Sequence, residues 1–98
     1  MTLPAYALFD VLEVTDQAKM GQYRQGVLAT IQKYEGRVLV AGGKFEIVEG
    51  SAKPTFPVVL EFPTLEAAKR WYDSEEYRPL KALRLAAARA NGFLVQGV

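Results

Sequence analysis

Apolar and β-branched residues run from Ala5 to Val14 without clean alternation. In an extended chain one face carries Ala5, Ala7, Phe9 and Val11, and the other Tyr6, Leu8, Leu12 and Val14. A strand covered on one side only alternates more sharply, so the pattern predicts a strand with cover on both faces. Thr15 and Asp16 are good N-cap residues. From Gln17 to Glu35 the apolar positions Met20, Tyr23, Val27, Ile31 and Tyr34 recur at spacings of three and four. That is the stripe of an amphipathic helix, and Gly36 suits its end. Arg37 to Val48 reads as a second strand, interrupted at Gly42-Gly43, where paired glycines predict a bulge or a close backbone approach. Residues 49–54 read as a loop, and Phe56 to Phe62 as a third strand. Pro63-Thr64 stops that strand and caps a helix from Leu65 to Asp73. Ser74 breaks the chain. Pro79 opens a further helix to Arg89, with Leu80, Leu83 and Ala87 on one stripe. Asn91-Gly92 ends it, and Phe93 to Gly97 is a last short strand.

The element order is β-α-β-β-α-β, with the second helical region broken. Two split βαβ units of this kind make an α+β, ferredoxin-like sandwich, with a four-stranded antiparallel sheet and the helices on one face. The other sheet face is then open, and an apolar open face usually meets a partner. A sheet-to-sheet homodimer is the simplest symmetric solution.

With 98 residues and 10.9 kDa, the chain is read as a single domain spanning 1–98. Surface scaling expects a folded monomer to expose roughly 5,600 Å². Cysteine and histidine are both absent. This removes disulfides, thiolate metal sites, imidazole bases and His-ligated haem. The reading is therefore no metal and no cofactor. A net charge of +1 gives no nucleic-acid signal. The third strand would also present Pro57, Val59 and Glu61 on the open face, none of which stacks a base. No run approaches the roughly 18 apolar residues of a membrane span, and the N-terminus lacks a basic leader. The expectation is a soluble, cytoplasmic protein with no membrane and no nucleic-acid partner.

A set of ordered fragments carries a family resemblance. Gly36-Arg37 leads to Gly42-Gly43, followed by Glu49-Gly50 and Leu60-Glu61-Phe62-Pro63. Then come Trp71-Tyr72-Asp73-Ser74-Glu75-Glu76-Tyr77 and Leu83-Arg84. With these the chain resembles the domain of unknown function 1330 family (DUF1330), in the dimeric α+β barrel superfamily, from about Tyr6 to Gly97. The resemblance implies ferredoxin-like subunits paired sheet to sheet. It implies no particular activity, because the superfamily spans cofactor-free monooxygenases, haem-degrading enzymes, isomerases and stress proteins. Without histidine, the haem-degrading and His-based chemistries lose their key group.

Candidate chemistry gathers around the helix break. Trp71, Tyr72 and Tyr77 straddle Ser74, where tyrosines can donate protons and Trp71 can form an apolar wall. The competing reading is that these aromatics pack a core. Asp10 and Glu61 lie inside apolar strands, where a carboxylate is costly unless paired. Each is either a general base or the partner of an arginine such as Arg37 or Arg84. Arg84 shares a helix face with Lys81 and can clamp a carboxylate bidentately; a cation late in a helix also matches the helix dipole. Two functions stay open. One is a cofactor-free enzyme or binder of a small, partly apolar or anionic molecule. Its pocket would be lined by Tyr23, Trp71, Ser74, Tyr77 and Arg84, with Glu61 or Tyr77 as proton carrier. The other is a non-catalytic dimeric structural or stress-related module.

Overall fold

Seven elements follow one another in the computed structural model, which describes residues 2–98. They are β1 (Ala5–Val14), α1 (Gln17–Lys33), β2 (Arg37–Ala41), β3 (Pro57–Phe62), α2 (Leu65–Tyr72), α3 (Arg78–Ala87) and β4 (Ala88–Gln96). The strands form one antiparallel sheet in the order β2-β3-β1-β4. This is the ferredoxin-like arrangement.

Register explains which residues form the core. Ala7 stands opposite Leu60 on β3 and Leu94 on β4. Ala7 and Leu60 belong to a buried cluster with Ile31, Phe62, Ala68, Trp71 and Tyr77, and Leu94 packs against it. Side chains alternate across a strand, so the neighbouring rung of Tyr6, Leu8, Val59, Phe93 and Val95 faces the other way. That open face is apolar and bordered by the Arg37–Glu61 ion pair at 2.6 Å. Phe93 there is 62% exposed.

Local capping sets the helices. The Asp16 carboxylate accepts from the Lys19 N–H at 3.0 Å, and the Thr64 hydroxyl from the Ala67 N–H at 3.0 Å. The Ser74 hydroxyl donates to the Trp71 carbonyl at 2.8 Å and accepts from the Tyr77 N–H at 3.1 Å. It therefore satisfies backbone groups that the break between α2 and α3 leaves free. The first helix stops at Lys33, two residues short of the expected end, and Glu35 takes a left-handed φ of 63°.

Two strands differ from the sequence reading. The second strand ends at Ala41, and residues 43–48 lie outside the sheet. Gly42 turns the chain with a φ of 70°, and its N–H donates to the Pro57 carbonyl at 2.7 Å. A Cβ there would sit 2.2 Å from the Phe56 ring, so only glycine suits both the turn and the contact. The last strand begins at Ala88, well before Phe93, and runs straight through Asn91-Gly92. Pairing with the long β1, where Asp10 meets Asn91 and Phe9 meets Gly92, overrides the local turn signal.

The helices occupy the sheet unevenly. The α2 helix sits on β1, β3 and β4, whereas α1 leans on α3 instead of the sheet. Gly26 of α1 lies against Leu80, where an added Cβ would come within 3.1 Å. This tilt leaves space between α1 and the β2 side of the sheet.

Candidate functional site

That space is a cavity of about 620 Å³. The α1 stripe of Met20, Tyr23, Val27 and Ile31 forms one wall, and Phe9, Val58 and Leu60 form the sheet side. Trp71 and Arg84 complete it, with Thr55 and Phe56 contributing from the loop before β3. The helical periodicity thus located a wall of the cavity. Tyr34, the last member of the stripe, instead packs against the core outside the cavity lining, and its hydroxyl donates to Glu76 at 3.0 Å.

Two polar groups of this wall, Tyr23 and Arg84, are linked through Tyr77, and Glu13, Gln17, Arg24 and Thr55 lie elsewhere on the lining. Arg84 is 93% buried, at 7% exposure. It faces inward on α3 with Leu80 and Ala87, at helical spacing. Among the described residues it forms no ion pair; the three present are Lys33–Glu76, Arg37–Glu61 and Arg70–Glu66. Its Nε donates to the Tyr77 hydroxyl over a long 3.4 Å. Its guanidinium carbon lies 5.2 Å from the centre of the Phe9 ring, a cation–π distance. Burial lowers the Arg84 pKa, but the oxygens of Tyr77, Tyr23 and Tyr72 outweigh it and the net shift is upward. The group stays a cation.

The Tyr77 hydroxyl lies 2.9 Å from that of Tyr23. Burial pushes the Tyr23 phenol well above its ordinary value, and Tyr77 reinforces the shift. Tyr23 is therefore a neutral hydrogen-bond donor, not a base. The Tyr77 ring stacks on Trp71 with centroids 4.3 Å apart. The Trp71 indole N–H donates to the Thr30 hydroxyl at 3.0 Å, and that hydroxyl donates to the Val27 carbonyl at 2.7 Å. These bonds fix the indole within the cavity wall.

The expected site residues divide by position. Tyr23, Trp71 and Arg84 line the cavity. Tyr77 lies behind the wall, fully buried, with its ring on Trp71 and its hydroxyl bonded to Tyr23 and Arg84. Ser74 is buried in the α2–α3 break, bonded to its backbone. Glu61 lies on the opposite face of the sheet, bonded to Arg37 Nε at 2.6 Å. Asp10 accepts from the Thr55 N–H at 2.9 Å and the Phe56 N–H at 2.7 Å, which ties the loop to β1. Neither carboxylate bonds Arg84. Lys81 donates to the Tyr72 carbonyl at 2.9 Å, at the end of α2. Phe9, Thr30 and Phe56 escaped the sequence reading as site residues. Their signal is spatial: each lies on a different element.

Fold and cavity together define a small ferredoxin-like α+β protein with a chamber on the helix side of its sheet. The chain belongs to the DUF1330 family of unknown function, whose model matches residues 4–98. Solved structures share the fold. The RPA0582 protein of unknown function from Rhodopseudomonas palustris superposes with a TM-score of 0.76 at 16% identity, covering 100% of this chain and 85% of that one. SnoaB, a cofactor-independent oxygenase from Streptomyces nogalater, gives 0.59 at 11% identity over 98% and 92% of the two chains. A candidate antibiotic biosynthesis monooxygenase from Nitrosomonas europaea gives 0.56 at 12%, over 100% and 93%. At these identities the likeness is one of fold. No curated protein matches the chain. Among the described residues no helix is long and apolar enough to cross a membrane.

Proposed function

We propose that this protein takes a small, partly apolar molecule into the chamber between α1 and the sheet and acts on it without a cofactor. The observation that carries this reading is the cavity itself. Protein interiors are close-packed, and this chamber, part-open to solvent, is lined largely by apolar side chains. A chamber of about 620 Å³ falls in the ~300–1,000 Å³ range of small-molecule sites. The likeness in fold to a protein named as a cofactor-independent oxygenase supports the same reading. Tyr23, Trp71 and Arg84 are the proposed contact residues, with Ser74 and Tyr77 holding them from behind.

The working unit in this proposal is a homodimer closed through the open sheet face. The chain exposes 6583 Å², more than the roughly 5,600 Å² expected of a monomer this size. The apolar rung from Tyr6 to Val95 offers what a second copy would cover.

A fragment titration followed by NMR tests the site. Binders are expected to shift the amides of Val27, Phe56 and Val58, and the cavity-filling Val58→Trp to abolish those shifts. A broad screen that moves none of these signals retires the reading and favours a non-catalytic module, in which the Trp71–Tyr77 stack is simply core.

A further inference from the structure

We infer that the chamber receives a monocarboxylate with an apolar body, its carboxylate held by the Arg84 guanidinium and the Tyr23 hydroxyl. The inference rests on the proposed small-molecule site and names the class of ligand that site would take.

Arg84 has five N–H donors and no acceptor. Among the described residues only its Nε bonds the protein, at the Tyr77 hydroxyl. Among the described residues no buried side-chain nitrogen or oxygen lacks a partner, so the unbonded Nη groups touch open space. The open space beside Arg84 is the chamber. An arginine 93% buried, at 7% exposure, with no carboxylate partner among the described residues, presents a cation to a largely apolar, part-open cavity. Such a charge is costly unless something pairs with it.

The tyrosines add a second donor with a fixed direction. Tyr77 is fully buried, and its hydroxyl accepts from Arg84. Its one proton then goes to the Tyr23 oxygen, the sole acceptor bonded to it among the described residues. Tyr23 is thus an acceptor towards Tyr77, and its own proton is free to point into the chamber. Guanidinium and phenol are both one hydrogen bond from the same Tyr77 oxygen, so they stand side by side. The set offers donors only. A ligand atom that meets it must be an acceptor without protons, and a carboxylate accepts on both oxygens.

Charge and surroundings narrow the class further. Glu13 and Arg24, also on the lining, are both solvent-exposed and of opposite sign. This leaves Arg84 as the one buried charge there, which matches one negative charge and not two. The lining is otherwise largely apolar, with Met20, Val27, Ile31, Val58 and Leu60 beside the polar Gln17 and Thr55, and favours an apolar body.

A matched pair of probes tests this. Trp71 is the only tryptophan, so its fluorescence reports binding directly. Phenylbutanoate and its neutral amide, phenylbutanamide, differ in charge and hardly in shape. The carboxylate is expected to bind at least ~10-fold more tightly, as a charge-assisted bidentate contact should. Arg84→Gln should bring the two affinities together, and Tyr23→Phe should weaken the carboxylate by about 3–10-fold and the amide, whose neutral carbonyl is the weaker acceptor, by less. Equal affinity of both probes for the native protein overturns the inference while leaving the chamber as a binding site. Failure of both probes also overturns it, and the fragment titration then decides separately whether the chamber binds anything. If Arg84→Gln does not fold, Tyr23→Phe decides. A carboxylate-selective loss supports the assignment, and an equal loss or none overturns it.

Discussion

The hydroxyls of Tyr23 and Tyr77 meet at 2.9 Å although the residues are 54 positions apart. The bond ties α1 to the start of α3 beside the chamber. Tyr23→Phe leaves the buried Tyr77 proton without an acceptor, and Tyr77→Phe leaves Arg84 Nε without one. Each change should cost about 1–3 kcal/mol in urea unfolding. The double variant should cost about as much as Tyr77→Phe alone, because that change already removes the bond between the two hydroxyls. Strictly additive losses would show that the two phenols are not coupled.

Acid sensitivity should trace to the contact between α1 and the α2–α3 turn. Glu76 bonds Lys33 and Tyr34. The Lys33 ammonium, with backbone and Tyr34 donors helping, holds the Glu76 pKa down at about 2 against an ordinary 4.5. A depressed carboxylate pKa stabilises the fold above its unfolded value and loses that contribution as pH falls towards the folded one. The melting temperatures of the native protein and Glu76→Gln should therefore converge between pH 4.5 and about 2. Lys33 is shifted upward from 10.5, so its share persists below that pH and fades above it. Both groups are exposed, so added salt should also narrow the gap. A gap that ignores pH and salt would rule out the ion pair as its source.

Gly42 and Gly21 should respond oppositely to alanine. At Gly42 a left-handed backbone combines with overlap on Phe56, and the change should cost about 1–3 kcal/mol. At Gly21, inside α1, an added Cβ meets nothing within 4 Å. Alanine there should stabilise by up to ~1 kcal/mol. Equal effects in paired urea unfolding curves would contradict the geometry at Gly42.

The proposed dimer predicts a mass about twice 10.9 kDa in sedimentation at micromolar concentration. Val59→Lys and Phe93→Lys place a charge on the open face and should dissociate or unfold it. A stable native monomer, or variants that dimerise as before, would show that this face is not the interface.

The absence of histidine and cysteine leaves few strong ligands for haem or transition metals. The purified protein should be colourless and free of stoichiometric metal. A Soret band, or one zinc per chain by elemental analysis, would overturn that expectation.

Periodicity alone determined the element order and the bounds of β1, because both depend on neighbours along the chain. It also set the inward stripe of α1. The same local signals misplaced β4, since Asn91-Gly92 is a turn signal that pairing with Asp10 and Phe9 overrules. They extended β2 to Val48, since alternation cannot say whether a partner strand is present, and residues 43–48 lie outside the sheet. Arg84 stood out as a candidate by charge, yet its lack of a carboxylate partner depends on Glu61 lying across the sheet and Asp10 being taken by loop N–H groups. The chamber was decided by tertiary structure alone. Met20, Tyr23 and Val27 carry the same apolar stripe whether a helix lies on its sheet or leans away from it. Here α1 leans on α3, with Gly26 against Leu80, and the distance between two layers is written in no single segment of the chain.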